Sequence, residues 1–161
     1  MMSIRNANWL AFLIPSGLLG GALISQYGFG LYPCEMCMWQ RWPHLVAILL
    51  ALPALVLRSD TMKNLLIVAA GLAILVSGLI GGFHAGVEYG WWQGLTSCAT
   101  TLPAGGNMLD TIMDAPLVRC DVAPWSLFGI SLAGYNFLLS VSGAVLILVM
   151  MIRARKEADY V

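Results

Sequence analysis

The chain has 161 residues, 60% of them apolar and only 10% charged, with a mean hydropathy of +0.83. A water-soluble domain carries about 25% charged residues, so this sequence reads as an integral membrane protein, and its length suits one compact unit. Eight basic and eight acidic residues leave a formal net charge of zero, which excludes nucleic acid as the expected partner.

Roughly 20 apolar residues cross a bilayer core of about 30 Å, and the first such run covers about 9–25. Pro15 and the glycines at 17, 20 and 21 would weaken a soluble helix but are tolerated in a membrane one, where neighbours satisfy the backbone. Arg5 precedes the run as in a signal peptide, but no small-x-small cleavage site follows, so an uncleaved span is expected. A short segment, about 26–38, leads to a second run at about 39–57, with Pro43 placed for a first helical turn and Pro53 for a kink. After a polar turn, 58–63, the third run (about 64–83) is rich in Gly and Ala, which suits close helix packing. The one long polar segment, about 84–131, holds Trp91, Trp92, Gly105, Gly106, Cys98 and Cys120. Within it 107–113 reads as a short amphipathic helix: Asn107 is the N-cap, Met108, Leu109, Ile112 and Met113 share one face, and Asp110 and Asp114 share another. Such a helix either lies on the membrane surface or covers the protein itself. The fourth run is about 132–152, followed by a polar tail, and no repeat or low-complexity tract is present.

The expected fold is therefore an all-α membrane protein, a four-transmembrane-helix bundle forming a single domain over 1–161 with a long outer loop between helices 3 and 4. Arg5, Arg58, Lys63, Arg153, Arg155 and Lys156 fall on one side of these spans and only Arg41 and Arg119 on the other, which puts both termini in the cytoplasm. Both cysteine-bearing segments, 26–38 and 84–131, then face outward; in a bacterium with two membranes that is the periplasm, where disulfides persist.

Four cysteines allow three pairings, and the sequence does not choose among them. Cys34 and Cys37 form a Cys-x-x-Cys. Haem attachment would need His in place of Met38, and tetrahedral zinc usually needs a second closely spaced pair, which Cys98 and Cys120 are not. A zinc site built from all four thiols and a static disulfide remain alternatives. The two-residue spacing makes a tight, exchange-prone ring, which favours a redox pair. Cys37 falls at the start of the second helix, where the helix-end potential favours a thiolate, and Arg41 four residues on shares its face if the helix already includes Cys37. Arg41 then supports the thiolate and holds a polar oxygen of a bound ring, or else anchors to lipid headgroups. Cys98 and Cys120 lie among glycines and polar residues, which suits a mobile disulfide open to an outside protein; the alternative is a loop staple contributing about 3 kcal/mol. His84 and Glu88 are four apart near the outer end of the third span: a polar helix cap, a metal or proton relay pair, or ring contacts. Trp39, Trp42, Trp91, Trp92 and Trp125 read mainly as an interfacial belt, and Asp121 as a turn cap.

The stretch Cys34-Glu-Met-Cys37-Met-Trp-Gln-Arg41 resembles the Cys-x-x-Cys-x-x-x-Arg motif of the bacterial disulfide bond formation protein B family (DsbB). So do the four spans, the cytoplasmic termini and the second cysteine pair in the second outer loop; the segments 83–92 and 125–136 are similar to a branch of that family. The resemblance covers nearly the whole chain. It implies an inner-membrane protein-dithiol:quinone oxidoreductase that reoxidises a periplasmic thioredoxin-fold oxidase (DsbA-like). Cys98 would form the mixed disulfide with that partner, Cys120 would pass to Cys34, and Cys37 would be freed as a thiolate beside ubiquinone or menaquinone held by Arg41, with His84 near the position of a quinone-side histidine. The spacing from Cys98 to Cys120 is a little shorter than in the best-known members, and several residues at the quinone end differ, which leaves partner docking and quinone type open. Such a partner has a reduction potential of about −120 mV, so its electrons need a higher-potential acceptor than a closed thiol pool. The competing classes are a family member with a dedicated partner, a non-enzymatic membrane protein with structural disulfides or a metal site, and a transporter. The last would want ionisable residues in the middle of its spans, where the sequence offers none.

Overall fold

The computed structural model describes residues 2–95, 99–100 and 117–159. Four helices dominate: α1 (Met2–Phe29), α2 (Glu35–Ala54), α3 (Asp60–Glu88) and α4 (Leu132–Asp159). Two strand pairs decorate one end. β1 (Ala99–Thr100) runs antiparallel to β2 (Leu117–Val118), and β3 (Ser126–Leu127) to β4 (Ile130–Ser131). Phe128 and Gly129, both at positive φ, form the two-residue turn between β3 and β4. The expected helix at 107–113 lies outside the described residues, as does Cys98.

Helix limits follow local chemistry. Gly30, at a φ of 67°, ends α1. The second helix begins at Glu35, earlier than its apolar run, because Cys34 caps it: the Cys37 N–H donates to the Cys34 Sγ at 3.2 Å. Pro43 therefore sits inside α2 and not in its first turn. The third helix continues through His84 to Glu88, so these two side chains do share a face.

Each helix packs on its neighbours in sequence and α1 closes the ring against α4. One core cluster joins Ala7 and Ala11 of α1, Ala51 and Ala54 of α2, Ile67 of α3 and Ile147 of α4. The start of α1 and α3 thus meets the end of α2 and α4, an up-and-down arrangement. Small and polar residues share the interior with a few isoleucines: Ala47, Ala51, Ala70, Ser77, His44, Asn136 and Ser140 are buried beside Ile67, Ile74 and Ile147, while Leu49, Leu65, Leu79, Leu139 and Leu146 are exposed. This inverts a soluble protein and suits a lipid surround. Three helices, Ile4–Phe29, Asp60–Glu88 and Leu132–Glu157, are long and apolar enough to cross a membrane; α2 is the fourth helix, with a lower apolar content because Gln40, Arg41 and His44 lie along it.

Close approach of α3 and α4 depends on glycine. A Cβ at Gly78 would lie 2.9 Å from Ser140 Cβ and 3.1 Å from the Val141 backbone nitrogen. Gly78→Ala is expected to lower stability by about 1–3 kcal/mol through overpacking. Gly20→Ala, with nothing within 4 Å of the added carbon, is expected to be neutral or slightly stabilising. Thermal unfolding of the two variants in detergent compares them directly.

Candidate active site

The site lies where the start of α2, the end of α3 and the segment after β2 meet. Because Cys34 is the N-cap and Cys37 the first-turn residue of α2, their sulfurs converge: the Cys34 thiol donates to the Cys37 Sγ at 2.8 Å. That hydrogen bond splits their acidity. It is the largest influence holding Cys37 below the ordinary thiol value against the opposing effect of burial, and the largest pushing Cys34 up to about 12, with burial adding to the rise. Of the pair, Cys37 is the sulfur that ionises.

His84 projects from α3 onto this pair, its Nε2 3.6 Å from Cys34 Sγ. The Gln40 side-chain amide donates to His84 Nδ1 at 2.9 Å and to the Met36 carbonyl at 3.1 Å. Nδ1 is thus the acceptor and Nε2 carries the proton, facing Cys34 and, at 3.8 Å, the buried Glu88 carboxylate. Glu88 in turn accepts from the Ser131 hydroxyl at the head of α4. A structural reason for the His84/Glu88 spacing is therefore present: the two join the cysteine pair to α4.

Cys120 is buried in the same cluster as Cys34, Met36 and Val87. Ligand atoms of Cys34, His84 and Cys120 all lie within 4.8 Å of one another, close enough for thiol exchange or for a shared soft metal ion. Strand β1, which follows position 98 in the chain, pairs with β2, which leads into Cys120. Asp121 serves Arg119 and not the thiol: it accepts two hydrogen bonds from that guanidinium, which hold its carboxyl below the usual range.

Two cavities meet at the pair. One, of about 240 Å³, enters the bundle and is lined by Cys37, Arg41, His44, His84 and Asn136, among mainly apolar neighbours. Gly17 and Gly21 of α1 form part of its wall, and a Cβ on either would meet nothing within 4 Å, so the space is left open by the sequence. The other, of about 280 Å³, lies toward the segment 118–124 and is lined by Cys34, Cys37, His84 and Arg119. Cys37 borders both. Arg41 lines the first cavity and is fixed to α1, donating to Gln26 Oε1 at 2.5 Å and to the Ala22 carbonyl at 3.3 Å.

Below the cysteines runs a polar network that the sequence reading passed over. Asn136 donates to Gln40 Oε1 at 2.8 Å and to the Ser77 carbonyl at 3.2 Å, and its Oδ1 lies 2.9 Å from His44 Nε2. Ser77 donates to the Gln40 carbonyl at 2.8 Å, and Ser140 to Asn136 Oδ1 at 2.8 Å. The available signal was His44, an ionisable side chain inside the second apolar run, where such a residue is a functional candidate by default.

The family model described as disulfide bond formation protein DsbB matches residues 4–150. A disulfide bond formation protein B of Chromohalobacter salexigens is 32% identical over 147 residues, covering 90% of this chain and 78% of that protein. One of Polaromonas sp. is 30% identical over 154 residues, covering 87% and 86%. An uncharacterized protein of Rickettsia prowazekii is 29% identical over 128 residues, covering 76% and 73%. No solved structure matches the chain.

Proposed function

Because the chain belongs to the disulfide bond formation protein DsbB family, a family of disulfide-forming membrane proteins, we propose that it is a protein-dithiol:quinone oxidoreductase. It reoxidises a periplasmic dithiol oxidase of thioredoxin fold (DsbA-like) and passes the electrons to ubiquinone or menaquinone. We place it in the bacterial inner membrane with four spans and both termini cytoplasmic. Support for α2 as the fourth span comes from its outward face: Leu45, Val46, Leu49 and Leu52 are exposed, while Gln40 and His44 point inward.

In this reading Cys98 takes the partner's attacking thiolate into a mixed disulfide and releases Cys120 as a thiolate. The partner's second thiol then resolves the mixed disulfide. Cys120 attacks Cys34 of the oxidised Cys34–Cys37 pair, an inter-loop disulfide forms, and Cys37 leaves as a thiolate. Its low proton affinity makes it the better leaving group. His84, with its Nε2–H toward Cys34, stabilises negative charge on that sulfur as it gains or loses its bond to Cys37, and the nearby Glu88 carboxylate orients the ring.

The observation that carries the proposal is the position of Cys37, on the border of an apolar cavity and of the cavity beside Cys34 and Arg119. The apolar cavity fits a quinone ring: Gly17 and Gly21 leave room in its mainly apolar wall, and its edge bears Arg41 and His84, which would hold the ring oxygens. A bound quinone supplies a sink for two electrons and two protons. The cluster of Cys34, His84 and Cys120, with Cys37 beside it, also favours a second reading, a structural zinc site. Purification in detergent followed by thiol counting, metal analysis and a visible spectrum separates the two. The expected result is co-purifying quinone with thiolate–quinone charge-transfer absorbance; stoichiometric zinc and no uptake of added quinone would sink the redox assignment.

A further inference from the structure

Among the described residues, one ring nitrogen in the bundle interior has no partner. His44 is 3% exposed and lines the apolar cavity, and its Nδ1 is buried with no hydrogen-bond partner among the described residues. The opposite nitrogen is fully engaged. The side-chain nitrogen of Asn136 is identified by its contacts with two carbonyl oxygens, Gln40 Oε1 and Ser77 O, so Oδ1 is the atom that faces His44 Nε2. Ser77 has its own hydroxyl proton on the Gln40 carbonyl, which leaves its oxygen to accept at 2.9 Å from the same Nε2. Nε2 therefore carries the proton. In a neutral imidazole the other nitrogen is then a bare acceptor. Its ring partners are an amide and a hydroxyl, with no carboxylate to support a second proton. A buried acceptor left without a donor is costly, and native interiors rarely keep one without use.

We propose that His44 is a ligand-selecting residue: Nδ1 accepts a hydrogen bond from a ring hydroxyl of the reduced carrier, so the cavity binds hydroquinone more tightly than quinone. This rests on the quinone reading above and adds a direction to it. A quinone offers only carbonyl oxygens, which cannot satisfy a bare acceptor; a hydroquinone offers two O–H donors. Preferential binding of the reduced form raises the potential of the bound couple, which helps draw electrons from a strongly oxidising partner.

The test titrates the purified full chain in detergent with decylubiquinone and, separately, with decylubiquinol under argon, each by calorimetry. The unaltered chain is expected to bind the quinol about five- to tenfold more tightly, the return of one net hydrogen bond. A tenfold preference corresponds to about 30 mV in the potential of the bound couple. His44→Gln keeps a nitrogen in reach of Asn136 and removes the acceptor at the Nδ1 position, so the preference should fall toward unity. His44→Asn places a polar atom at that position and should retain a preference. Equal affinities in the unaltered chain overturn the inference even if neither variant folds, as does a folded His44→Gln protein with an unchanged ratio; both leave the quinone reading standing. Binding of neither form removes the quinone reading itself.

Discussion

The Cys37→Ser variant is expected to lose quinone-dependent oxidation of the dithiol partner by a factor on the order of 10³ or more, with its fold and melting temperature close to those of the unaltered chain. Serine matches the thiol in size, and residue 37 is only half-buried, so the change removes chemistry more than packing. What it removes is the sulfur that ionises. Cys37 is held below the ordinary thiol value first by the hydrogen bond from Cys34, whose own thiol is pushed up to about 12. A depressed value means that the thiolate persists as the pH falls below the usual thiol range. Alkylation of the reduced chain should therefore label Cys37 ahead of Cys34, and that preference should widen as the pH is lowered from 9. Undiminished partner oxidation by the serine variant, assayed with added quinone, would show that Cys37 is not the electron exit.

Asn136→Leu is expected to destabilise the bundle by about 3 kcal/mol. Leucine is close in volume to asparagine, so the loss is in hydrogen bonding. It strands Gln40 Oε1 and the Ser140 hydroxyl and takes one partner each from the His44 Nε2 proton, the Ser77 oxygen and the Ser77 carbonyl, all at buried residues. Each orphaned group costs about 1–3 kcal/mol in a water-soluble protein. Inside a bilayer, polar pairs average about 0.6 and reach about 1.7 kcal/mol, because the unfolded chain also finds partners there. Several such losses together give the stated figure. Equilibrium unfolding in SDS mixed micelles measures it; a change below about 0.5 kcal/mol would mean the network is replaced by water or by a shifted side chain.

The parts legible in the sequence were those written in long apolar runs and short motifs. The helical stretches followed from the long apolar runs, and the convergence of the Cys34 and Cys37 sulfurs from their two-residue spacing. The onset of α2 did not, because cysteine is not among the usual N-capping residues and only the sulfur's acceptance from the Cys37 N–H extends the helix back to Glu35. The network below the cysteines was illegible for another reason. His44 and Asn136 stand 92 residues apart, and each looks like a lone polar interruption until the helices are packed. Glu88 and Ser131 are the same case at shorter range, a helix-end pair whose purpose appears only when α3 and α4 are side by side.

Cys37 borders a greasy chamber within the bundle on one side and, on the other, a chamber beside Arg119 and the segment 118–124. One sulfur can therefore be approached from inside the bundle and from the loop side, each by its own entrance. On the proposed reading, the protein has no need to hold the carrier and the loop disulfide together, and its turnover divides into separate half-reactions.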